Sequence, residues 1–185
     1  MTTTTSAMSK APALSSERLV LRAHRVDDFE PLASMWAEPE VVRYIGGKPM
    51  AREDVWSRLL RSAGHWQLLG FGYWVVCEKA TGALLGEVGF ADFRRDIEPG
   101  FHGVPEIGWA LISRAHGQGL GTEAVRLALA WGDAHFTSTR SVCLIDAPNA
   151  PSRHLAKKCG FVEWCHTSYH GEPSVLFERT SPLRR

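Results

Sequence analysis

R-A-H-G-Q-G-L-G-T-E-A-V-R-L-A-L-A-W, from Arg114 to Trp131, is the stretch from which the rest of the chain can be read. Gly117, Gly119 and Gly121 alternate, and an apolar stripe follows in which Leu120, Ala124, Leu127, Ala128 and Trp131 recur at helical spacing. Just upstream, V-P-E-I-G-W-A-L-I (Val104 to Ile112) is rich in β-branched and aromatic residues and predicts a strand. Strand, glycine turn and helix in succession aim several main-chain N–H groups at one point. Glycine lets the backbone approach without a Cβ in the way, and the unpaired N–H groups of a first helical turn hold an anion. Such a site contributes roughly 0.3–1 kcal/mol per exposed charge and up to ~2 when partly buried. The pattern predicts a pyrophosphate cradle; the plainer reading is a glycine turn that only starts a helix.

Two familiar phosphate loops do not fit. A Walker loop, G-x-x-x-x-G-K-[ST], needs a Lys that is missing after these glycines. A Rossmann turn needs G-x-G-x-x-G and an acid about 20 residues later. The spacing here is G-x-G-x-G, and no acid follows in the right place.

Composition narrows the classes further. The 185 residues suit one domain, able to bury roughly two-thirds of its unfolded surface. Lys+Arg 21 against Asp+Glu 20 leaves a net charge of +1, so no basic field argues for nucleic acid or an anionic membrane. The hydrophobic content of 44% is that of a soluble globule, and no apolar run approaches a membrane span. Residues 1–16, M-T-T-T-T-S-A-M-S-K-A-P-A-L-S-S, lack a basic and an apolar region, which argues against a signal peptide. They are expected to be a flexible tail, with one domain over 17–185. Cys77, Cys143, Cys159 and Cys165 form no C-x-x-C pair and are expected to be reduced, mostly buried thiols of a cytoplasmic protein. His166 and His170 lie four apart on an expected strand and turn, so no metal site is expected.

In chain order, Glu17 to Arg22 alternates as a first strand, with Leu19 and Leu21 on one face. Asp27 or Asp28 is expected to cap a helix through Phe29, Leu32, Ala33 and Trp36, stopped near Pro39. Glu40 to Ile45 reads as a short helical piece and Ala51 to Leu69 as an amphipathic helix. Phe71 to Cys77 and Leu84 to Phe90 form a hairpin turned at Thr81-Gly82. Arg94 to Gly103 is polar and glycine-rich, hence an expected exposed loop. After the glycine turn, its helix runs to about Phe136, Arg140 to Asp146 is a buried strand, and Pro151 to Lys158 a short helix stopped by Gly160. Val162 to Tyr169 and Ser174 to Arg179 are final strands. The order β-α-α-β-β-β-α-β-α-β-β predicts a mixed α/β (α+β) sheet flanked by helices, not a doubly wound parallel one.

The glycine stretch resembles motif A, Q/R-x-x-G-x-G/A, of the GNAT (Gcn5-related) N-acetyltransferases, with His116 at the usual Gln/Arg position followed by Gly119 and Gly121. A second motif lies in A-P-N-A-P-S-R-H-L-A-K-K-C-G-F (Ala147 to Phe161), which fits N-x-x-S-x-x-L-x-x-x-x-G-F. That pattern, the opening E-R-L-V-L-R-A and the central E-I-G-W-A-L are similar to the RimJ/RimL branch, acetyltransferases of ribosomal protein N-termini. The resemblance covers about Glu17 to Arg179. It implies the GNAT fold: six to seven strands and about four helices, with strands four and five splayed apart.

What the resemblance implies for the site follows residue by residue. Acetyl-CoA is the cosubstrate, with no metal. His116, Gly117, Gln118, Gly119, Leu120, Gly121 and Thr122 form the pyrophosphate loop. Trp109, Ala110, Leu111 and Ile112 offer an open strand edge to the pantetheine arm, much as an edge accepts an added strand. Asn149 bonds that arm or caps the following helix, or does both. Ser152 protonates the departing sulfur or is only a first-turn residue; a thiol of pKa about 8.5 leaves tolerably well without help.

Glu106 is the expected base, with a surface carboxylate or a partner for a neighbouring Arg as the other reading. Glu87 is an alternate base and Tyr169 an alternate acid. An α-amino group is ~10% neutral at pH 7, a deficit near 1.4 kcal/mol, whereas a Lys side chain lacks roughly 4–5. Trp36, Trp56 and Trp66 lie in the two helices that wall the acceptor site in that fold. The implied activity is acetyl transfer to a primary amine, a small molecule or a protein N-terminus, by direct attack on the thioester. The alternative is a non-catalytic acyl-CoA-binding or regulatory domain. Homodimers are common in similar proteins.

Overall fold

In the computed structural model, residues 11–181 are described. Their strands are β1 (Leu14–Ser15), β2 (Leu19–Arg22), β3 (Tyr73–Glu78), β4 (Leu84–Ala91), β5 (Glu106–Leu111), β6 (Arg140–Asp146), β7 (Val162–Tyr169) and β8 (Glu172–Thr180). The helices are α1 (Phe29–Trp36), α2 (Pro39–Val42), α3 (Arg52–Leu69), α4 (Leu120–His135) and α5 (Ala150–Lys158). All eight strands form one sheet in the order β1-β2-β3-β4-β5-β6-β8-β7.

The sheet is mixed, as its pattern predicts, with one strand and one helix more than the expected counts. The extra strand lies in the expected tail: Leu14 pairs with Leu21 and Ser15 with Val20. Two residues are too few to show an alternation, which is why composition alone reads them as tail. Residues 1–10 of that tail lie outside the described residues. Helix α1 begins where Asp28 precedes it, yet the Asp28 side chain does not cap it. Its carboxylate instead takes two bonds from Arg22, at 2.8 and 2.7 Å, and one from the Arg25 N–H at 2.7 Å. A charged fork outcompetes a neutral amide for the same oxygens.

Two apolar layers cover the two faces. On one, Leu19, Leu21, Val76, Val88, Ile107, Cys143 and Phe177 of the sheet pack against Ala124, Ala128 and Trp131 of α4 and Ala156 of α5. Trp66 reaches round to join Trp74 and Trp131 there, edge to face at 4.8 and 5.2 Å, so it does not wall an acceptor site. On the other, α1, α2 and α3 bring Leu32, Met35, Trp36, Val41, Val42, Val55 and Leu59 together. Strand β4 is covered on both sides and buried through nearly all its length. Cys77, Cys143 and Cys159 are buried, Cys165 is half-buried, and all four are free. Among the described residues no helix is long and apolar enough to cross a membrane.

The join between β5 and β6 positions everything that follows. They are the parallel pair of the sheet, and the register holds at a single rung, Glu106 against Val142. Val142 donates to Pro105 O at 3.1 Å, and beyond that the strands part. From Ile107 to Leu111, β5 keeps β4 as a full antiparallel neighbour on one side. Its other edge faces a gap.

Candidate active site

The glycine bend closes the far end of that gap. Gly117 and Gly119 take φ of +72° and +77°, a left-handed conformation that penalises a Cβ. Gly121 packs close to α5: a Cβ there would sit 2.9 Å from Leu155 Cδ1, so that side chain would have to turn aside. The first backbone bond of α4 is donated by Glu123 to Gly119 O at 3.1 Å. Among the described residues, none of the amides from Gly117 to Thr122 donates to another protein atom. Those amides stand at the N-terminus of a long helix, an end able to hold an anion.

Arg18 braces the bend from β2's side. Its Nη1 donates to Gln118 O at 3.1 Å and its Nε to Glu123 at 2.8 Å, while Ser16 Oγ donates to the same carboxylate at 2.6 Å. His116 turns inward: its Nε2 donates to Leu111 O at 2.8 Å, stapling the bend to the end of β5. A His can therefore occupy the Gln/Arg position as a brace, without offering that ring N–H to a phosphate.

Two cavities open on either side of the parted strands. The first, about 610 Å³, is lined by Trp109, Ala110, Leu111, His116, Gly117, Gly119, Gly121, Thr122, Asn149 and Ser152, with α2's Val41 and the following Tyr44 above. Ten expected site residues thus share one wall. Three point elsewhere. Leu120 is in the core, and Ile112 packs between the layers with its N–H on Leu85 O at 2.8 Å. Gln118 donates its side-chain amide to Arg114 O at 2.6 Å, so Gln118 and Leu120 have only main-chain groups to offer.

The second cavity, about 300 Å³, is lined by Trp36, Arg58, Tyr73, Arg95, Glu106, Gly108, Leu144, Asp146 and Tyr169, among others. It shares five residues with the first: Tyr44 and Ile45 after α2, Trp109 of β5, and Asn149 and Ser152 at the start of α5. Those five residues frame the passage between them. Asn149 caps α5, its Oδ1 accepting the Ser152 N–H at 3.1 Å, and its Nδ2 has no protein partner among the described residues. The capping reading and the ligand reading of Asn149 are therefore geometrically compatible. Of the expected tryptophans in α1 and α3, Trp36 lines this cavity, whereas Trp56 is 37% exposed and packs edge-on to Phe29.

The two expected carboxylates are both engaged. Glu106 is 5% exposed and gives both oxygens to Arg95, at 2.7 and 2.8 Å. This is the geometry of the neighbouring-Arg reading. Arg95 comes from the segment expected to be an exposed loop, which instead folds back: Ile97 is buried and Thr167 Oγ1 donates to Glu98 O at 2.6 Å. Polar composition hid this, because the partner of Arg95 lies eleven residues away on another element.

Glu87 is wholly buried and accepts from His24 Nε2 at 2.7 Å, Trp36 Nε1 at 3.0 Å and Arg58 Nε at 3.1 Å. Burial pushes its pKa up, but the Arg58 charge and the His24 bond outweigh that and bring it down to about 2. An acid so stabilised as its anion is a tie between elements, not a proton acceptor. Tyr169, the alternate acid, lies under the Arg95 guanidinium, whose carbon is 4.7 Å from its ring centre.

Sequence reasoning missed Tyr73, Arg58, Arg95 and Asp146, which come from four different elements. One signal was there to be read. A Cβ on Gly108 would lie 2.1 Å from Tyr73 Oη, so the glycine of E-I-G-W makes room for a hydroxyl from β3. Burial pushes that hydroxyl up to about 12, and no hydrogen bond to it exists among the described residues. No group of three or more potential ligands among the described residues could hold a metal.

With this geometry in view, the family model described as an acetyltransferase (GNAT) domain matches residues 18–162. A relative from Bacillus licheniformis, described as the uncharacterized N-acetyltransferase p20, is 26% identical over 149 residues, 80% of this chain and 81% of its own. A GnaT-family acetyltransferase structure from Bordetella pertussis, itself described as putative, superposes with a TM-score of 0.81 at 30% identity, covering 92% of this chain and 100% of that one. RimL, a ribosomal L7/L12 alpha-N-protein acetyltransferase solved with coenzyme A, superposes with a TM-score of 0.75 over 92% of this chain and 98% of its own. At 16% identity that likeness shows the fold alone.

Proposed function

The chain belongs to the GNAT acetyltransferase family, whose members are acyl-CoA-dependent N-acyltransferases, and from that premise we propose that it moves an acetyl group from acetyl-CoA to a primary amine by direct attack. The observation that carries this is the pair of cavities joined at Tyr44, Ile45, Trp109, Asn149 and Ser152. One has a helix N-terminus of unpartnered amides at its end; the other has charged and hydroxyl groups. A thioester lying in the passage meets its acceptor without leaving the protein.

In this scheme the amides of Gly117 to Thr122 hold the pyrophosphate. The free edge of β5 from Trp109 to Leu111 bonds the pantetheine amides, and Asn149 Nδ2 faces the thioester end of that arm. The acceptor nitrogen attacks the carbonyl carbon, the C–S bond breaks, and the Ser152 hydroxyl hands a proton to the departing sulfur. Glu106 would take the acceptor's proton only if its pair with Arg95 opened. The acceptor class is a small amine or a protein N-terminus; RimL's substrate, a ribosomal protein N-terminus, is one model for it.

Titration calorimetry with acetyl-CoA, followed by thiol release over a panel of amines, tests this reading. Saturable binding and amine-dependent thiol release are expected. Absence of acetyl-CoA binding would end it; binding without release to any amine would make the chain a non-catalytic acyl-CoA-binding domain.

A further inference from the structure

We propose that Asp146, the last residue of β6, is the group that receives the acceptor's ammonium and takes its proton. This rests on the amine-acceptor reading above and supplies the base that Glu106, locked to Arg95, does not provide.

The argument begins with the pleat. Glu106 and Val142 are opposite each other in the parallel pair, so their side chains leave the same face of the sheet. Alternation then puts Gly108 of β5 and Leu144 and Asp146 of β6 on that face, and all of them line the acceptor cavity. Asp146 stands at the end where the strands have parted. The Asn149 N–H donates to Asp146 O at 2.9 Å, a tight turn that ties the carboxylate to the passage residue three positions on.

The charge balance points the same way. Glu87 is neutralised by Arg58, and Glu106 by Arg95. Asp146 and Glu172 both line the cavity with neither a hydrogen bond to the carboxylate nor an ion pair among the described residues; Glu172 is exposed at the rim, and Asp146 is the half-buried one. The charged groups around it are Glu172 and His170 at the β7–β8 turn, the Glu106–Arg95 pair across the gap, and Arg153 of α5. Arg153 is committed elsewhere, to Ala147 O at 3.0 Å and Glu163 at 2.9 Å. Among the residues that line the cavity the charge left over is thus negative, which suits a cation; Arg61, over the Phe93 ring, is a cation outside that lining with no ion pair among the described residues.

A second group waits for a ligand. Tyr73 is 7% exposed, lines the same cavity, and its hydroxyl has no hydrogen-bond partner among the described residues. That hydroxyl opens onto the cavity, where an incoming amine can meet it. Burial first, and then the Glu172 charge, raise the proton affinity of Asp146, the direction a base needs to work near neutral pH.

The protons balance. The ammonium gives one proton to Asp146 and becomes a neutral amine. Its nitrogen forms the C–N bond, the C–S bond breaks, and the second proton reaches the sulfur by way of Ser152. The products are amide, thiol and a carboxylic acid that returns its proton to water.

The test compares wild type with Asp146→Asn and Glu106→Gln. Ethylammonium chloride titrated into the acetyl-CoA-free protein is followed by amide NMR shifts at Asn149 and Gly108. Shifts that saturate in wild type and vanish in Asp146→Asn are expected; equal titration of both overturns the proposal. With the best α-amino acceptor of the panel, kcat of Asp146→Asn should fall at least about tenfold at pH 7, the deficit of a ~10% neutral α-amine, and recover to within about threefold near pH 9, where such an amine needs no base. A deficit that stays constant with pH, or a Glu106→Gln deficit that is the one to recover, also overturns it. Acetyl-CoA affinity unchanged in Asp146→Asn separates this outcome from failure of the acetyltransferase reading itself.

Discussion

Replacing Glu87 by Gln should cost this fold more than any other single buried change in the acceptor half. Glu87 sits on the middle of β4, wholly buried, and its two oxygens collect donors from the segment after β2, from α1 and from α3. Gln keeps the shape but removes the charge, leaving the Arg58 guanidinium, 17% exposed, without its counterion. It also presents an NH₂ where only acceptors serve. If that NH₂ meets His24 Nε2, the imidazole must move its proton to Nδ1, which is buried with no partner. Breaking one side of a buried pair costs about 3–5 kcal/mol. For a chain of this size each kcal/mol moves Tm by roughly 2–4 °C, so a fall of about 6–20 °C is expected.

The pH dependence supplies a second reading of the same bond. The folded pKa of about 2 lies below the ordinary carboxylate value, so the stabilisation is fully present above about 4.5 and is lost as pH falls toward about 2. Urea unfolding of both proteins at pH 7 and at steps below pH 5 measures this. The gap between them should be widest at neutral pH and close in acid. A gap under about 1 kcal/mol at pH 7, or one that does not narrow in acid, would refute the assignment of Glu87 as a tie.

Two further substitutions test the two cavities separately. Gly119→Ala places a Cβ on a residue at φ +77° and should weaken acetyl-CoA binding about tenfold or more by calorimetry. Gly64→Ala in α3, where a Cβ meets nothing within 4 Å, should leave binding unchanged. Gly108→Ala drives a methyl into Tyr73 Oη, so amine turnover should fall at least about tenfold while acetyl-CoA affinity holds; equal loss of both would show that the cavities are not separable.

The elements were legible because each states its period locally. Arg140 to Asp146 was read residue for residue, and β7, α3 and α5 to within one residue. What escaped was non-local pairing. Asp28 looked like a helix cap because capping is a rule about neighbours in sequence, yet Arg22 took its carboxylate. Arg94 to Gly103 looked exposed because nothing in its composition reveals that Arg95 will find Glu106. The cofactor side could be read as a motif since its work is done by main-chain amides. There the side chains matter chiefly by being absent, at Gly117, Gly119 and Gly121.

The acceptor side is built on the opposite plan. Tyr73 comes from β3, Arg58 from α3, Arg95 from the long connection and Asp146 from β6, so no window of sequence contains the site. Each of its arginines is answered by a carboxylate from β4 or β5, and these two ion pairs hold α3 and the connection against the sheet. The sheet can part at β5 and β6 because those pairs hold its neighbouring elements in place while the gap itself goes unpaired beyond Glu106 and Val142. The same arrangement constrains the chemistry. Carboxylates that secure the walls have their oxygens occupied, so the group free to exchange a proton with a substrate must be one that secures nothing. On this face of the sheet, among the described residues that line the gap, Asp146 meets that condition where Glu87 and Glu106 do not.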